Sequence, residues 1–462
     1  MILYLRISTA GLSYPHQISQ RNQEVFRLMS QIKIMLKQHI GAPCAPVVVA
    51  GDKVKKGTLI AQPTGLGANI FSSVYGEVAE ITENYILINA DEVQPDEFEP
   101  ITGETTLELV KNAGIVGMGG AGFPTAVKLN ANLNDGYILV NAAECEPGLL
   151  HNIHQLETQT DKTVRGVKYC MEIAGATKAI FAIKAKNEKA VKAIKEAIKD
   201  EPSMSVFLMP DIYPMGEERA VVRECLGILL EPTQLPSAAN AVVINAETVL
   251  RVAEAVEDKK PCFSKNLTVT GKVNNPTIFT DVAVGTPVSE LIEAAGGLCD
   301  GVIGEIVMGG PFTGKSMADV NDPITKTTGG IIPTIEFPDL HGANIGILVC
   351  ACGGSEARMR EICEKMNAKV VSVQRCKQAM EIKGALKCEN PGNCPGQAQK
   401  CIAMKKDGAE YIIIGNCSDC SNTVMGSAPK MGLKIFHQTD HLMRSIHHPL
   451  YRKLRVSKKI EQ

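Results

Sequence analysis

Two groups of residues in this 462-residue chain have types and spacings suited to chemistry. The first is Gly114 to Leu129, GIVGMGGAGFPTAVKL, in which five glycines fall within nine residues and a helix-compatible run follows at once. Gly117, Gly119, Gly120 and Gly122 strip side chains from a short loop, so its backbone N–H groups can come close to a flat or phosphorylated ligand. The bland alternative is a tight turn. The spacing is not G-x-G-x-x-G, and no β-branched strand directly precedes it, so this is not the dinucleotide fingerprint. The second group is cysteine: nine of the 15 lie between Cys350 and Cys420. In a large chain such clustering points to thiol, metal or redox work rather than to a disulfide scaffold.

Three further phrases carry polar groups at strand-to-helix junctions. Asn141-Ala-Ala-Glu144-Cys145-Glu146 follows the short apolar run Tyr137 to Val140 and places an amide and two carboxylates at a strand end, where open α/β sheets bind ligands. Such carboxylates accept from ribose hydroxyls, and Asn can meet a flavin's pyrimidine edge; the alternative is a solvated acidic turn. Tyr213-Pro-Met-Gly216-Glu217-Glu218-Arg219 offers a ring that could stack on a planar group, or simply a helix first turn where Glu suits the dipole. Asn245-Ala-Glu247-Thr248 is by itself an Asn cap.

The elements that must position these groups follow from period and punctuation. Gln20 to Leu36 is compatible with a helix, and from Pro43 to Glu83 short Val/Ile strands broken by Gly-Asp-Lys and Gly76 read as a compact barrel. That barrel resembles a lipoyl-like barrel-sandwich hybrid without a lysine at the hairpin tip. Beyond the glycine loop, strands and helices alternate: helices over Asp161 to Ala174 and Glu188 to Asp200, strands over Ala179 to Lys184 and Val206 to Met209. This argues an α/β layer with a largely parallel sheet. From Asn266 two strands around Asn-Asn-Pro and a helix ending at Gly296 resemble the soluble-ligand-binding β-grasp domain, as does MGGPFTG. The expected fold is multidomain α/β: a helix and barrel-sandwich hybrid over 1–100, a Rossmann-like α/β domain over 101–260, a β-grasp module over 261–340 and a cysteine-rich α/β domain over 341–462.

Net charge is −2 with interspersed signs and there is no Trp, which leaves little support for nucleic acid or a stacking surface. No window reaches the roughly 18–20 apolar residues of a membrane span, and MILYLRISTAGL lacks a signal-peptide pattern, so a cytoplasmic location is expected.

Taken together and in order, GIVGMGGAGFPTAVKL, NAAECEPG, YPMGEERA and NAET resemble the FMN- and NADH-binding core of the complex I flavoprotein subunit and of RnfC, a component of the Rnf complex. QHIGAPCAPVVVAGDKVKKG and PTGLGANIFSSVYGEV are similar to the N-terminal barrel of RnfC, so the resemblance covers about residues 30–340. It implies that Gly117, Gly119, Gly120 and Gly122 line FMN and the dinucleotide phosphates, with Lys128 near the flavin. It implies that Asn141 and Asn245 hold the flavin, and that Glu144, Glu146, Tyr213, Glu217 and Glu218 frame NADH. The chain departs from the complex I pattern at Ala143, where an acidic residue is usual, and at Arg219, where Thr is usual.

Beyond residue 340 the paired ferredoxin motifs of RnfC are missing. Instead three strand-like runs end at Cys350 with Cys352, at Cys376, and at Cys417 with Cys420. Parallel strands would bring these thiols to one edge; the Pro/Gly-rich loop ENPGNCPGQAQKC adds Cys388, Cys394 and Cys401 and would fold Cys394 over that edge. Cys350, Cys352, Cys376, Cys394, Cys417 and Cys420 thus form a candidate set for an Fe–S cluster, for zinc, or for an exchanging dithiol. Cys363 and Cys401 read as small apolar core residues, and His437, His441, His447 and His448 as surface residues. The tail weakly resembles CGGC-type domains and the delta subunit of methyl-viologen-reducing hydrogenase.

Body and tail together are most similar to Rnf-like electron-transfer proteins associated with proline reductase. This resemblance implies an NADH-oxidising flavoprotein that passes electrons through the cysteine-rich domain to a partner reductase, with peripheral association at a membrane complex as a further expectation. The alternative is a non-catalytic adaptor that docks a reductase to a membrane Rnf complex.

Overall fold

The computed structural model describes residues 19–21, 31–352 and 354–448, with the side chains of 19–21, 418–420 and 422 outside that description. Gln31–Met35 is a strand, with Ile32 and Ile34 fully buried. This corrects the helix expected over 20–36: the apolar residues alternate with period two, and a strand buries such a face where a helix would scatter it. Residues 22–30 of that expectation lie outside the described residues. Gln31–Met35, Tyr85–Ala90, Gly76–Ile81 and Lys53–Val54 form an antiparallel sheet. Ala45–Pro46, Leu59–Gln62 and Ile70–Phe71 form a second, and Ile34, Ile60, Ile70, Val78 and Ile86 join both in one core.

The central layer begins with α1 (Thr106–Asn112), whose Thr105 and Glu108 form a reciprocal capping box. After the glycine loop come α2 (Thr125–Leu129), α3 (His151–Thr158), α4 (Thr160–Ala174), α5 (Glu188–Ala197), α6 (Glu218–Leu226) and α7 (Ala246–Glu257). They surround a parallel sheet in the order Met204–Met209, Ala176–Lys184, Gly136–Ala142, Ala241–Asn245. Successive residues of the Gly136–Ala142 strand serve opposite faces. Ile138 and Val140 pack with Val164, Val167, Val249 and Val252 of α4 and α7, while Leu139 packs with Val221 and Val222 of α6. Both faces being covered is what a near-continuous apolar strand requires.

The β-grasp module contains Ser264–Val269, Thr277–Ala283, Gly330–Ile335 and Ile303–Met308 in one sheet with α8 (Val288–Ala294), and Ser19–Arg21 adds a parallel strand at its edge. The last module has four parallel strands in the order Lys369–Arg375, Asn344–Val349, Tyr411–Ile414, Lys434–His437. Its helices are α9 (Glu356–Lys365), α10 (Ala398–Lys406), α11 (Ser418–Ser427) and α12 (Asp440–Ser445). A hairpin of Ala379–Ile382 with Ala385–Cys388 emerges from it, in a stretch whose sequence carries no clear strand period.

Charged knots join the modules. Glu247 of α7 is fully buried against Lys265 and Arg251, and Arg251 also meets Glu254 and Asp281 at 2.8 Å. Glu305 of the β-grasp accepts from Arg358 and Lys365 of α9 and lies 2.7 Å from His441 Nε2. His437 and His441 are buried, which corrects their reading as surface residues. Among the described residues no helix is long and apolar enough to cross a membrane.

Candidate functional site

The glycine loop is pinned on three sides. Gly117 N–H donates to Phe123 O at 2.9 Å and Met118 N–H to Thr248 Oγ1 at 2.9 Å, which fastens the loop to the first turn of α7. Gly122, at φ +67°, faces the backbone of Gln38 and His39 and the methyl of Thr327, so the barrel and the β-grasp both close on it. The tip is different. Gly119, Gly120 and Ala121 are exposed, and a Cβ built on Gly120, at φ +115°, meets nothing within 4 Å. A Cβ on Gly119 would stand 3.3 Å from Asn245 Nδ2. The loop is therefore an open cradle whose wall is Asn245.

Asn245 and Asn141 are register partners at the carboxyl ends of adjacent parallel strands. Asn245 Oδ1 caps α7 by accepting from Glu247 N and Thr248 N, and its Nδ2 is what turns toward Gly119. Capping and facing the loop are thus compatible uses of one amide. Asn141 Nδ2 donates to Gly216 O at 2.9 Å and so ties the first strand-end phrase to the second. Lys128 and Glu218, read as separate contacts from sequence, pair with each other. Glu217 caps α6 through Ala220 N and holds Arg219 Nε at 3.1 Å. Arg219 is buried, and its Nη1 has no hydrogen-bond partner among the described residues; Thr125 Oγ1, just after the loop, is in the same state.

Glu144, Glu146 and Tyr213 sit at the same sheet edge, with Glu146 and Tyr213 turned toward the β-grasp and Glu144 toward α3. Glu146 accepts from Phe312 N at 2.7 Å and Thr313 Oγ1 at 2.5 Å. The Tyr213 ring, 9% exposed, meets Phe312 edge-on with centroids 4.4 Å apart. Glu144 has φ +33°, an uncommon conformation for a non-glycine residue, and accepts from Asn152 Nδ2 at 3.0 Å. Burial pushes the Glu144 carboxyl from its ordinary 4.5 up to about 7, with the Glu146 charge adding to the rise and Asn152 and Lys184 opposing it.

A raised carboxyl favours the fold below its unfolded pKa, and that advantage is lost as pH rises through the folded value. Glu144→Gln is therefore expected to remove a stability slope of about 1–3 kcal/mol between pH 4.5 and 7, measured by urea unfolding across that window. An unchanged slope would show that Glu144 titrates as a solvated carboxylate.

At the end of the last sheet, the neighbouring thiols of Cys350, Cys388 and Cys417, with burial, push the Cys352 thiol well above its ordinary range. Cys350 Sγ accepts from Cys352 N at 3.2 Å. The bond from Cys352 holds the Cys388 thiol below its ordinary range, and the charge of Arg219 acts in the same direction. Cys376 and Cys394 stand to one side, joined by Gln397 Nε2 at 3.0 and 3.5 Å. Cys363 and Cys401 are fully buried on their helices. The Cys420 side chain lies outside the described residues. Among the described residues no three His, Cys, Asp or Glu side chains are arranged to hold a metal ion.

Sequence reasoning adds Cys388 to the thiol group but assigns it to a loop, whereas it ends a strand of the unforeseen hairpin. It misses Phe312, although MGGPFTG stands out as a phrase. Cys352 and Cys145 both pack against the cluster that contains Tyr213, Phe312 and Leu442. The thiol edge of the last module and the strand-end phrases of the central one therefore share a wall.

Comparison with known proteins fits this geometry. Residues 110–254 match the Nuo51 FMN-binding domain, 11–94 the RnfC barrel sandwich hybrid domain and 266–308 the SLBB domain. The C subunit of the Na(+)-translocating ferredoxin:NAD(+) oxidoreductase complex of Acetobacterium woodii is 30% identical over 320 residues, covering 65% of this chain and 72% of the relative. The corresponding component of the proton-translocating complex of Clostridium ljungdahlii is 32% identical over 332 residues, 67% and 72% respectively. Cobalamin reductase PduS of Salmonella typhimurium is 38% identical over 232 residues, and the match spans half of each chain. The air-oxidized NAD+-reducing [NiFe]-hydrogenase structure matches at a TM-score of 0.43 and 22% identity, over 49% of this chain and 46% of that one.

Proposed function

Because the chain belongs to the RnfC family, the C subunits of the ion-translocating ferredoxin:NAD(+) oxidoreductase complexes, we propose that it is an electron-transfer protein that binds FMN at the glycine loop. It takes electrons from NADH and passes them through the cysteine-rich module to a partner reductase, one of proline-reductase type. The observation that carries this reading is the open cradle at Gly120 with Asn245 as its wall, placed at the edge of a parallel sheet.

The residues present fit FMN. A substituent-free loop tip admits a flat or phosphorylated group, the buried Thr125 hydroxyl beside it lacks a partner among the described residues, and Asn141 and Asn245 present amides at adjacent strand ends. When bound, FMN supplies acceptance of two electrons from a reduced nicotinamide and their release onward. The chain's own part is to orient and to screen. Lys128 with Glu218 fixes a charge pair near the loop, and Asn245 faces the loop while it caps α7. Protein purified anaerobically is expected to show a flavin spectrum that bleaches on NADH addition. Colourless protein that takes up no FMN on reconstitution would overturn the reading.

The adaptor reading is favoured by one observation, that Glu146 and Tyr213 are already engaged by Phe312 and Thr313. Calorimetric titration with NADH separates the two, since an adaptor gives no binding heat.

A further inference from the structure

We propose that Lys326 of the β-grasp module is the positioning residue of the flavin loop, fixing where the loop begins through two main-chain carbonyls and where it ends through its own neighbours. This rests on the reading of the glycine loop as the FMN site, and adds that three modules build the cradle together.

Lys326 precedes the Gly330–Ile335 strand and is 1% exposed. Among the described residues its ammonium meets no carboxylate. It donates to Asn69 O at 2.6 Å and to Gly114 O at 2.8 Å, and stands 5.9 Å from the centroid of the Phe71 ring. An ammonium buried against carbonyls and a ring alone is costly, and an apolar side chain of similar length would avoid that cost. Such a side chain would leave the two carbonyls without their donor, and holding them together is what the lysine does. Asn69 leads into the Ile70–Phe71 strand of the barrel, and Gly114 opens the glycine loop. One nitrogen therefore joins barrel, central module and β-grasp. Glycine at 114 permits the approach: at φ +65°, a Cβ built there would stand 2.3 Å from Asn69 O.

The same β-grasp segment reaches the far end of the loop. Lys326 N–H donates to Gln38 Oε1 at 3.0 Å, and Gln38, itself buried, donates from Nε2 to Met35 O at 3.0 Å. A Cβ built on Gly122 would lie 3.0 Å from the Thr327 methyl and 3.4 Å from Gln38 O, and Gly122 O accepts from Ile40 N–H at 3.0 Å. Between the two fastenings lies the exposed tip at Gly119 and Gly120. Lys326 thus acts on the ends of the loop. It presets their separation, and with it the direction of the tip's N–H groups, before a ligand arrives, so that binding does not have to order them.

The test uses this whole chain, stripped of flavin and titrated with FMN, with binding read from flavin fluorescence. Circular dichroism in the flavin band and hydrogen exchange of the 114–123 backbone, with and without FMN, are recorded on the same samples. Lys326→Met is expected to weaken FMN binding on the order of tenfold. It should also speed exchange across 114–123 in the flavin-free chain and alter the flavin-band signal, at a temperature where thermal unfolding shows the variant fully folded. Lys326→Arg, which keeps donors and charge, should restore part of the affinity. Gln38→Ala, which removes the acceptor of the Lys326 N–H, should weaken binding about threefold. Lys53→Met, at an exposed lysine of the barrel, should change nothing.

Native affinity and native loop exchange in folded Lys326→Met would overturn the proposal. If that variant does not fold, Gln38→Ala decides, and native affinity with native exchange there overturns it equally. Affinity that falls only in step with thermal stability, with loop exchange unchanged, marks a merely structural lysine and also overturns it. A native chain that takes up no FMN overturns the flavin reading and this proposal with it, whereas equal FMN binding by native and Lys326→Met chains removes the positioning role alone.

Discussion

Gly120→Val is expected to yield a folded chain that retains FMN at least about 10-fold more weakly than the native protein. Two costs act together. Gly120 has φ +115°, where a β-branched residue is strained by about 1–3 kcal/mol. Its Cβ direction is also open, so the valine side chain would occupy the space assigned to the ligand. Forcing extra carbons into a filled site costs about 1–3 kcal/mol, and each ~1.4 kcal/mol is a factor of ten in affinity. The loop's anchors, Gly117 to Phe123 and Met118 to Thr248, lie outside the substituted tip and should hold. Fluorimetric FMN content of the reconstituted variant is the measurement, with circular dichroism as the fold control. Native FMN content would show that the flavin lies elsewhere.

The second large effect is on stability. Glu247→Ala removes the carboxylate that faces both Lys265 and Arg251, all three at 2% exposure or less. Burial works against the charge of Glu247, but Lys265 and Arg251 outweigh it and hold the carboxyl below its ordinary range. Its contribution is therefore present above the unfolded carboxylate pKa and lost as pH falls through the lowered one. Without it the fully buried Lys265 loses its carboxylate while Arg251 keeps Glu254 and Asp281, a loss of about 3–5 kcal/mol. The first urea-unfolding transition should move accordingly, because the knot joins α7 to the Ser264–Val269 strand. Glu247→Gln keeps hydrogen bonds but not charge and should cost less. A shift under about 1 kcal/mol for the alanine variant would mean that water reaches the lysine.

Much of the architecture was legible because its causes are local. Val and Ile runs bounded by Gly and Pro gave the strands of the central sheet, and three-to-four spacing gave α4 and α5. Where local signals were ambiguous the reading failed: Gln31–Met35 suits a helix by composition, yet its isoleucines alternate, and pairing with Tyr85–Ala90 decided for strand. The hairpin ending at Cys388 had no period to read. Its two four-residue strands are held by each other and by Arg223, 167 residues away from Asn390 in sequence.

The sequence by itself determined that glycine, amide and carboxylate phrases stand at strand ends of an α/β layer, and that cysteines follow the strands of a second one, because strand, turn and helix starts are written in neighbouring residues. Only the tertiary structure decided which of these groups meet. Asn245 became the wall of the cradle because parallel register aligns it with Asn141 and α7 aims it at Gly119. Lys128 was drawn to Glu218, Tyr213 to Phe312, and Glu146 to Thr313, since each pair joins residues from separate elements. Such contacts depend on how whole modules dock, and docking is set by buried charge and shape contributed from distant parts of the chain, which no local period records.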